Sequence, residues 1–201
     1  VCDGDNTTCD IVTDIDGNEY GTILIGEQRW MKQNLKVTQS NNETPLDYII
    51  SYDNDTIVDE NYGYLYSFSD SDFSEGVCPE GWILPSDNQW EILRTYLGGQ
   101  DIAGAKIKHE GTTYWNEPNS GATNETGFSA LGAGGSDGHF RNRANFWTST
   151  DGIHYVLSSD NSVLWRDQVS YSYYFSIRCL QIEILGCTNP DADNYNPDAT
   201  E

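Results

Sequence analysis

Basic side chains are scarce in this chain. Ten Lys and Arg stand against 32 Asp and Glu, and the formal net charge is −22. Nucleic acids are held through phosphates neutralised by Lys and Arg, so this balance argues against them as partners. It argues equally against an anionic membrane surface. Only three histidines are present, His109, His139 and His154, and no two cysteines form a CxxC pair, so a zinc site has little to be built from. No apolar run approaches the ~20 residues that span a bilayer as a helix, so membrane insertion is not expected. No signal peptide is visible at Val1; if the protein is secreted, the signal is expected to have been removed or to lie outside this sequence. There is no Gly-x-Ser-x-Gly elbow for a serine nucleophile. The glycine-rich run Gly127–Gly135 lacks the Gly-Lys-Ser/Thr that closes a phosphate loop. With so many carboxylates, some pair falls at glycosidase spacing by chance. We therefore expect no catalytic residues and no enzyme.

Aromatic residues are plentiful: 13 Tyr, six Trp and six Phe. Each buried ring removes a large apolar area from water, so they can build a core with few Leu and Val. The excess of Tyr over Phe implies rings with one end kept wet, which suits a surface that meets a polar ligand. The acidic balance favours solubility in salty or extracellular water and the binding of cations.

The five cysteines are Cys2, Cys9, Cys78, Cys179 and Cys187. We expect Cys2–Cys9 to close a small local loop and Cys78–Cys179 to form a long-range bridge. Cys187 is then left over, with a partner expected in sequence absent here. Disulfides imply an oxidising compartment, hence an extracellular or cell-surface location.

Along the chain, residues 1–10 are polar and look like the end of a linker. From Ile11 to Leu35 the pattern is a hairpin turned at Asp16-Gly17. Asp14–Asn18 could start a calcium loop, but its twelfth position is Ile25, which offers no oxygen, so a turn is expected. Thr44–Ile50 and Tyr62–Phe68 read as strands. The clearest helix follows at about 86–97. Ser86 or Asp87 caps it, Trp90, Leu93 and Leu97 form its apolar stripe, and Gly98-Gly99 ends it. Ile102–Lys108 fits a short helix or a strand. Phe146–Thr150, His154–Leu157, Ser162–Trp165 and Tyr174–Leu180 read as successive antiparallel strands. The acidic, turn-rich end, residues 183–201, looks like a linker or a truncated repeat.

Three blocks carry a resemblance. They are Asp16-Gly17-Asn18-Glu19-Tyr20 with Ile25-Gly26-Glu27-Gln28-Arg29-Trp30-Met31; Cys78-Pro79-Glu80-Gly81-Trp82-Ile83-Leu84-Pro85-Ser86; and Gly127-Phe128-Ser129-Ala130-Leu131 with Phe146-Trp147-Thr148-Ser149-Thr150 and Ser176-Ile177-Arg178-Cys179. Their order and spacing resemble the Fibrobacter succinogenes major paralogous domain over about residues 11–182. That family occurs in secreted and surface proteins of Bacteroidetes-like bacteria and looks related to C-type-lectin-like and formylglycine-generating-enzyme-like folds. The resemblance implies an α+β, C-type-lectin-like domain with antiparallel sheets, one main helix and long irregular loops. Cys78 and Cys179 would match the long disulfide that closes that fold, leaving no cysteine pair in the core for formylglycine chemistry. The segment after Gly186 is similar to a short repeat of extracellular bacterial proteins.

Lectins of this kind that bind mannose-like sugars use Glu-Pro-Asn with a later Trp-Asn-Asp. Glu117-Pro118-Asn119 has no such companion, so we read it as coincidence. The stronger candidate is the face made by residues 136–173: Asp137, His139, Arg141, Arg143, Asn145, His154, Tyr155, Trp165, Asp167, Tyr171 and Tyr173, with Asp151, Asp160 and Asn161 nearby. Tyr, Trp, Asn and Arg are the vocabulary of adaptable binding surfaces. Arg141, Arg143 and Arg166 make this stretch less acidic than the rest. Asp191, Asp193 and Asp198 could offer oxygens to calcium. The expected function is a secreted or cell-surface binding module for a glycan or a protein, one unit of a longer multidomain chain. The alternative is an adhesin or stalk unit with calcium-stiffened linkers and no specific small ligand.

Overall fold

A computed structural model describes residues 11–46, 49–50, 60–67, 76–170 and 172–182. The expected Cys2–Cys9 pair, Cys187 and the acidic end lie outside these residues. The chain begins with β1 (Ile11–Thr13), β2 (Glu19–Ile25) and β3 (Gln28–Met31). The Asp14–Asn18 segment between β1 and β2 is a turn. One Asp14 carboxylate oxygen accepts the backbone N–H groups of Asp16 and Asn18, at 3.0 and 2.9 Å. Short strands follow: β4 (Ile49–Ile50), β5 (Leu65–Ser67) and β6 (Trp82–Ile83).

Helix α1 runs from Asp87 to Tyr96. Ser86 caps it in a capping box with Gln89, and Trp90, Leu93 and Leu97 are buried. Gly98 terminates it at φ 99°, its N–H bonding to Thr95 and that of Gly99 to Arg94. That pattern is the Schellman closure, and it needs a positive φ. Of the Ile102–Lys108 stretch, all but Lys108 proves to be helical, as part of α2 (Gln100–Ile107); Lys108 is extended and bridges to Ala130. The remaining strands are β7 (Arg143–Trp147), β8 (Ile153–Ser158), β9 (Trp165–Gln168), β10 (Tyr174–Phe175) and β11 (Leu180–Gln181). They complete three antiparallel sheets, ordered β1-β2-β3-β11-β6, β10-β5-β4 and β7-β8-β9. The architecture is α+β.

Two strand expectations are corrected. The third strand of the last sheet begins at Trp165 and not at Ser162. The Asn161 side chain accepts the Val163 N–H in a turn, and the Ser162 carbonyl is taken by Ala105 of α2. Nor is Tyr174–Leu180 one strand. Phe175 pairs with β5, whereas Leu180 pairs with β3 and β6.

Arg178 lies between those two pairings and is fully buried. Its Nε and Nη2 donate to the Asn34 side-chain oxygen, at 3.1 and 2.6 Å. Its Nη1 donates to the carbonyls of Met31, Lys32 and Phe128. The guanidinium also lies 4.4 Å from the Phe128 ring centroid. Next to it, Cys179 is bonded to Cys78 across 101 residues. The larger core cluster is aromatic: Trp90 stacks on Tyr155 at 5.1 Å and meets Trp30 at 4.9 Å.

Replacing Arg178 with Met should cost about 3 kcal/mol or more, because buried carbonyls lose their donors. Arg178→Lys should recover only part of that, since an ammonium lacks the planar fork. Chemical denaturation of the three proteins measures both. Removing the disulfide with Cys78→Ser and Cys179→Ser should cost about 4–5 kcal/mol, from the freedom regained by so long a loop.

Candidate functional site

Side chains alternate across a strand, and β8 uses this strictly. Ile153, Tyr155 and Leu157 enter the core, while His154, Val156 and Ser158 face the other way. The register extends that outer face sideways. Arg143 lies opposite Ser158, Asn145 and Trp165 flank Val156, and Asp167 lies opposite His154. These residues floor an open cleft of about 480 Å³. Its rims are Asp137, Val169, Tyr173 and Phe175 on one side and Asp160 and Asn161 on the other.

Local structure holds the floor. The Asn145 amide donates to the Gly134 carbonyl at 2.9 Å. Phe175 stacks on His154 at 4.5 Å and on Tyr173 at 5.8 Å. Gly135 makes room for that stack, because a Cβ there would fall 2.9 Å from the Phe175 ring. Behind the far rim, the buried Lys108 ammonium donates to the carbonyls of Ser120, Ser158 and Asn161 at 2.8–3.0 Å. Burial pushes its pKa down to about 8, so the ammonium persists at neutral pH.

His154 is only 3 % exposed, and its Nδ1 has no hydrogen-bond partner among the described residues. Burial lowers its pKa below 6.5, while the charges of Asp167 and Asp137 pull the other way. The net result is a neutral ring at neutral pH.

Of the expected binding residues, Asp137, Arg143, Asn145, His154, Trp165, Asp167 and Tyr173 converge on the cleft. Three do not. Tyr155 points into the core, and its hydroxyl donates to Glu91 and Asp87 of α1 at 2.7 and 3.0 Å. Arg141 reaches the other way, to the carbonyls of Thr112 and Trp115. His139 stands outside the cleft, its Nε2 3.8 Å from the Asp137 carboxylate. Tyr171 lies outside the described residues, as do Asp191, Asp193 and Asp198.

The three arginines of this less acidic stretch part company in space. Arg166 makes a two-pronged contact with Asp87 at 2.8 and 2.9 Å, on the face of β9 opposite Trp165 and Asp167. With Arg141 also withdrawn, Arg143 alone meets Asp137, Asp160 and Asp167 in the cleft.

Sequence reasoning missed Val156, Ser158, Val169 and Phe175. The alternation in His154–Ser158 held the signal for the first two. Asn119 of the Glu-Pro-Asn segment is 6 % exposed, and its amide donates to His109 and Gly111. Among the described residues no three His, Cys, Asp or Glu side chains are grouped to hold a metal.

The model of the Fibrobacter succinogenes major domain family matches residues 23–181. Neither the curated proteins nor the solved structures yield a match.

The lowered His154 pKa has a readable consequence. The ring takes up its proton at higher pH unfolded than folded, so its contribution is fully present above pH 6.5. It is lost as pH falls through the folded value. The melting temperature should decline from pH 7 to pH 5, and His154→Gln should flatten that decline. Asp87, held below 3.8 by Arg166, acts only in more acidic solution. Ring titration by NMR should place the His154 midpoint below 6.5.

Proposed function

The chain belongs to the Fibrobacter succinogenes major domain family, and from that premise we propose that it is an extracellular or cell-surface binding module, without enzymatic activity, whose cleft holds a saccharide. One observation carries this reading: Trp165 and Tyr173 share an open cleft with Arg143, Asp160, Asn161 and Asp167. An aromatic ring packs against the apolar C–H face of a pyranose. Amide, carboxylate and guanidinium groups around it pair with ring hydroxyls and fix orientation. A scaffold of packed sheets beneath keeps those groups in place.

We extend the proposal to a C-type-lectin-like architecture. Support comes from the last strand, β11, seated between β3 and β6 in the first sheet. It comes also from the bridge between Cys78, ahead of the capped helix, and Cys179, beside β11. Calcium in this proposal belongs to the acidic end, at Asp191, Asp193 and Asp198, and the module is one unit of a longer surface protein.

Glycan-array binding of the labelled chain tests the proposal. Trp165→Ala should weaken the best saccharide about tenfold or more, equivalent to about 1.4 kcal/mol. As Trp165 is only half-buried, the thermal midpoint should change little. Unchanged binding would reject the site. Saturable binding to no glycan, with a midpoint that falls on chelation, would favour the stalk alternative.

A further inference from the structure

Resting on the saccharide reading above, we propose that the cleft selects saccharides bearing a protonated amine, with the amine held by Asp137 and Asp167 beside His154. All ten Lys and Arg lie among the described residues, and nine of them do not line the cleft. Asp160 and Asp167 have no ion-pair partner among the described residues, and Asp137 has only His139 at 3.8 Å. Arg143 is the one Lys or Arg lining the cleft; the Lys108 ammonium behind the far rim acts on Asp160, so Asp137 and Asp167 are the carboxylates left for an added cation. The neutral, buried His154 does not offset them.

His154 supplies a second observation. A side chain buried this deeply ordinarily has its polar atoms paired, yet its Nδ1 has no partner among the described residues. It lines the cleft with Asp137 and Asp167, and both carboxylates act on it electrostatically. An ammonium placed there gains charge-assisted hydrogen bonds. The field of a chain carrying −22 attracts cations to the surface and repels sulfated or uronic saccharides.

A lysine-bearing peptide would satisfy the carboxylates but leave much of the cleft idle. Trp165 lies midway along the floor beside Val156, and Ser158, Asp160 and Asn161 line the far end. Polar groups at both ends of an aromatic floor suit a ring with substituents around its edge.

Two probes separate the possibilities: a β1,4-linked glucosamine disaccharide and its N-acetylated counterpart, which differ in whether the nitrogen is charged. Titration calorimetry on the full chain at physiological salt, where long-range attraction is screened, should give binding of the free-amine form about tenfold tighter. Asp167→Asn and Asp137→Asn should each erase most of that preference. Asp101→Asn removes the same charge from an exposed position on α2, outside the cleft, and should retain the preference. That control separates recognition from the general pull of an acidic protein. Equal or tighter binding of the acetylated form would overturn amine selection and leave saccharide binding standing. Equal effects of the Asp101 and Asp167 substitutions would overturn the assigned seat. Failure of both disaccharides, neutral glycans included, with a lysine peptide bound in an Asp167-dependent way, would overturn both proposals.

Discussion

The domain depends on a buried guanidinium that, among the described residues, has no carboxylate partner. Arg178 is surrounded by neutral oxygens: the Asn34 amide and the carbonyls of Met31, Lys32 and Phe128. Burial pushes its pKa down to about 9, still high enough to keep it charged at neutral pH. Desolvating a cation is costly, and only a full set of acceptors offsets it. Those acceptors come from the end of β3, the segment after it and the loop at Phe128. The charge is thus stabilised only when these parts meet.

Arg178 also stands where the chain divides its allegiance. Before it, Phe175 pairs with β5 and Ser176 bridges to Phe146 of β7. After it, Cys179 carries the disulfide and Leu180 enters the first sheet. The same anchor therefore closes the main sheet and holds Phe175 against His154. The cleft wall is a by-product of how the core is fastened.

Lys108 repeats this use of a cation on a smaller scale, joining three carbonyls behind the cleft. Arg141 ties a loop, and Arg166 and Arg94 pair with the carboxylates of α1. Several of the few positive charges are thus engaged in fastening the structure. What remains at the cleft is mostly negative because Arg141 and Arg166 turn away and only Arg143 stays.

Much of this was legible in the residues. The Ser86 cap, the Trp90-Leu93-Leu97 stripe and the Gly98 stop specify α1 through local geometry alone. Asp14 and Gly17 specify their turn in the same way. The cysteine arithmetic and the family blocks pointed to the Cys78–Cys179 bridge, and the Tyr, Trp, Asn and Arg content pointed to the 136–173 region. Local signals could not reveal which arginine of that region faces the cleft, since Arg141, Arg143 and Arg166 look alike in sequence. Strand alternation turns Arg166 toward α1, and a left-handed backbone at Arg141, φ 61°, accompanies its turn toward the Thr112–Trp115 loop. Nor could they show that Tyr174–Leu180 splits between sheets, because Phe175, Ile177 and Cys179 are apolar and buried in any case. The sequence by itself determined the helix and the turns, which rest on neighbours a few residues away, and the supply of rings from which the core is built. Tertiary structure alone decided the sign of the cleft, because that depends on where long-range pairing sends each scarce positive charge.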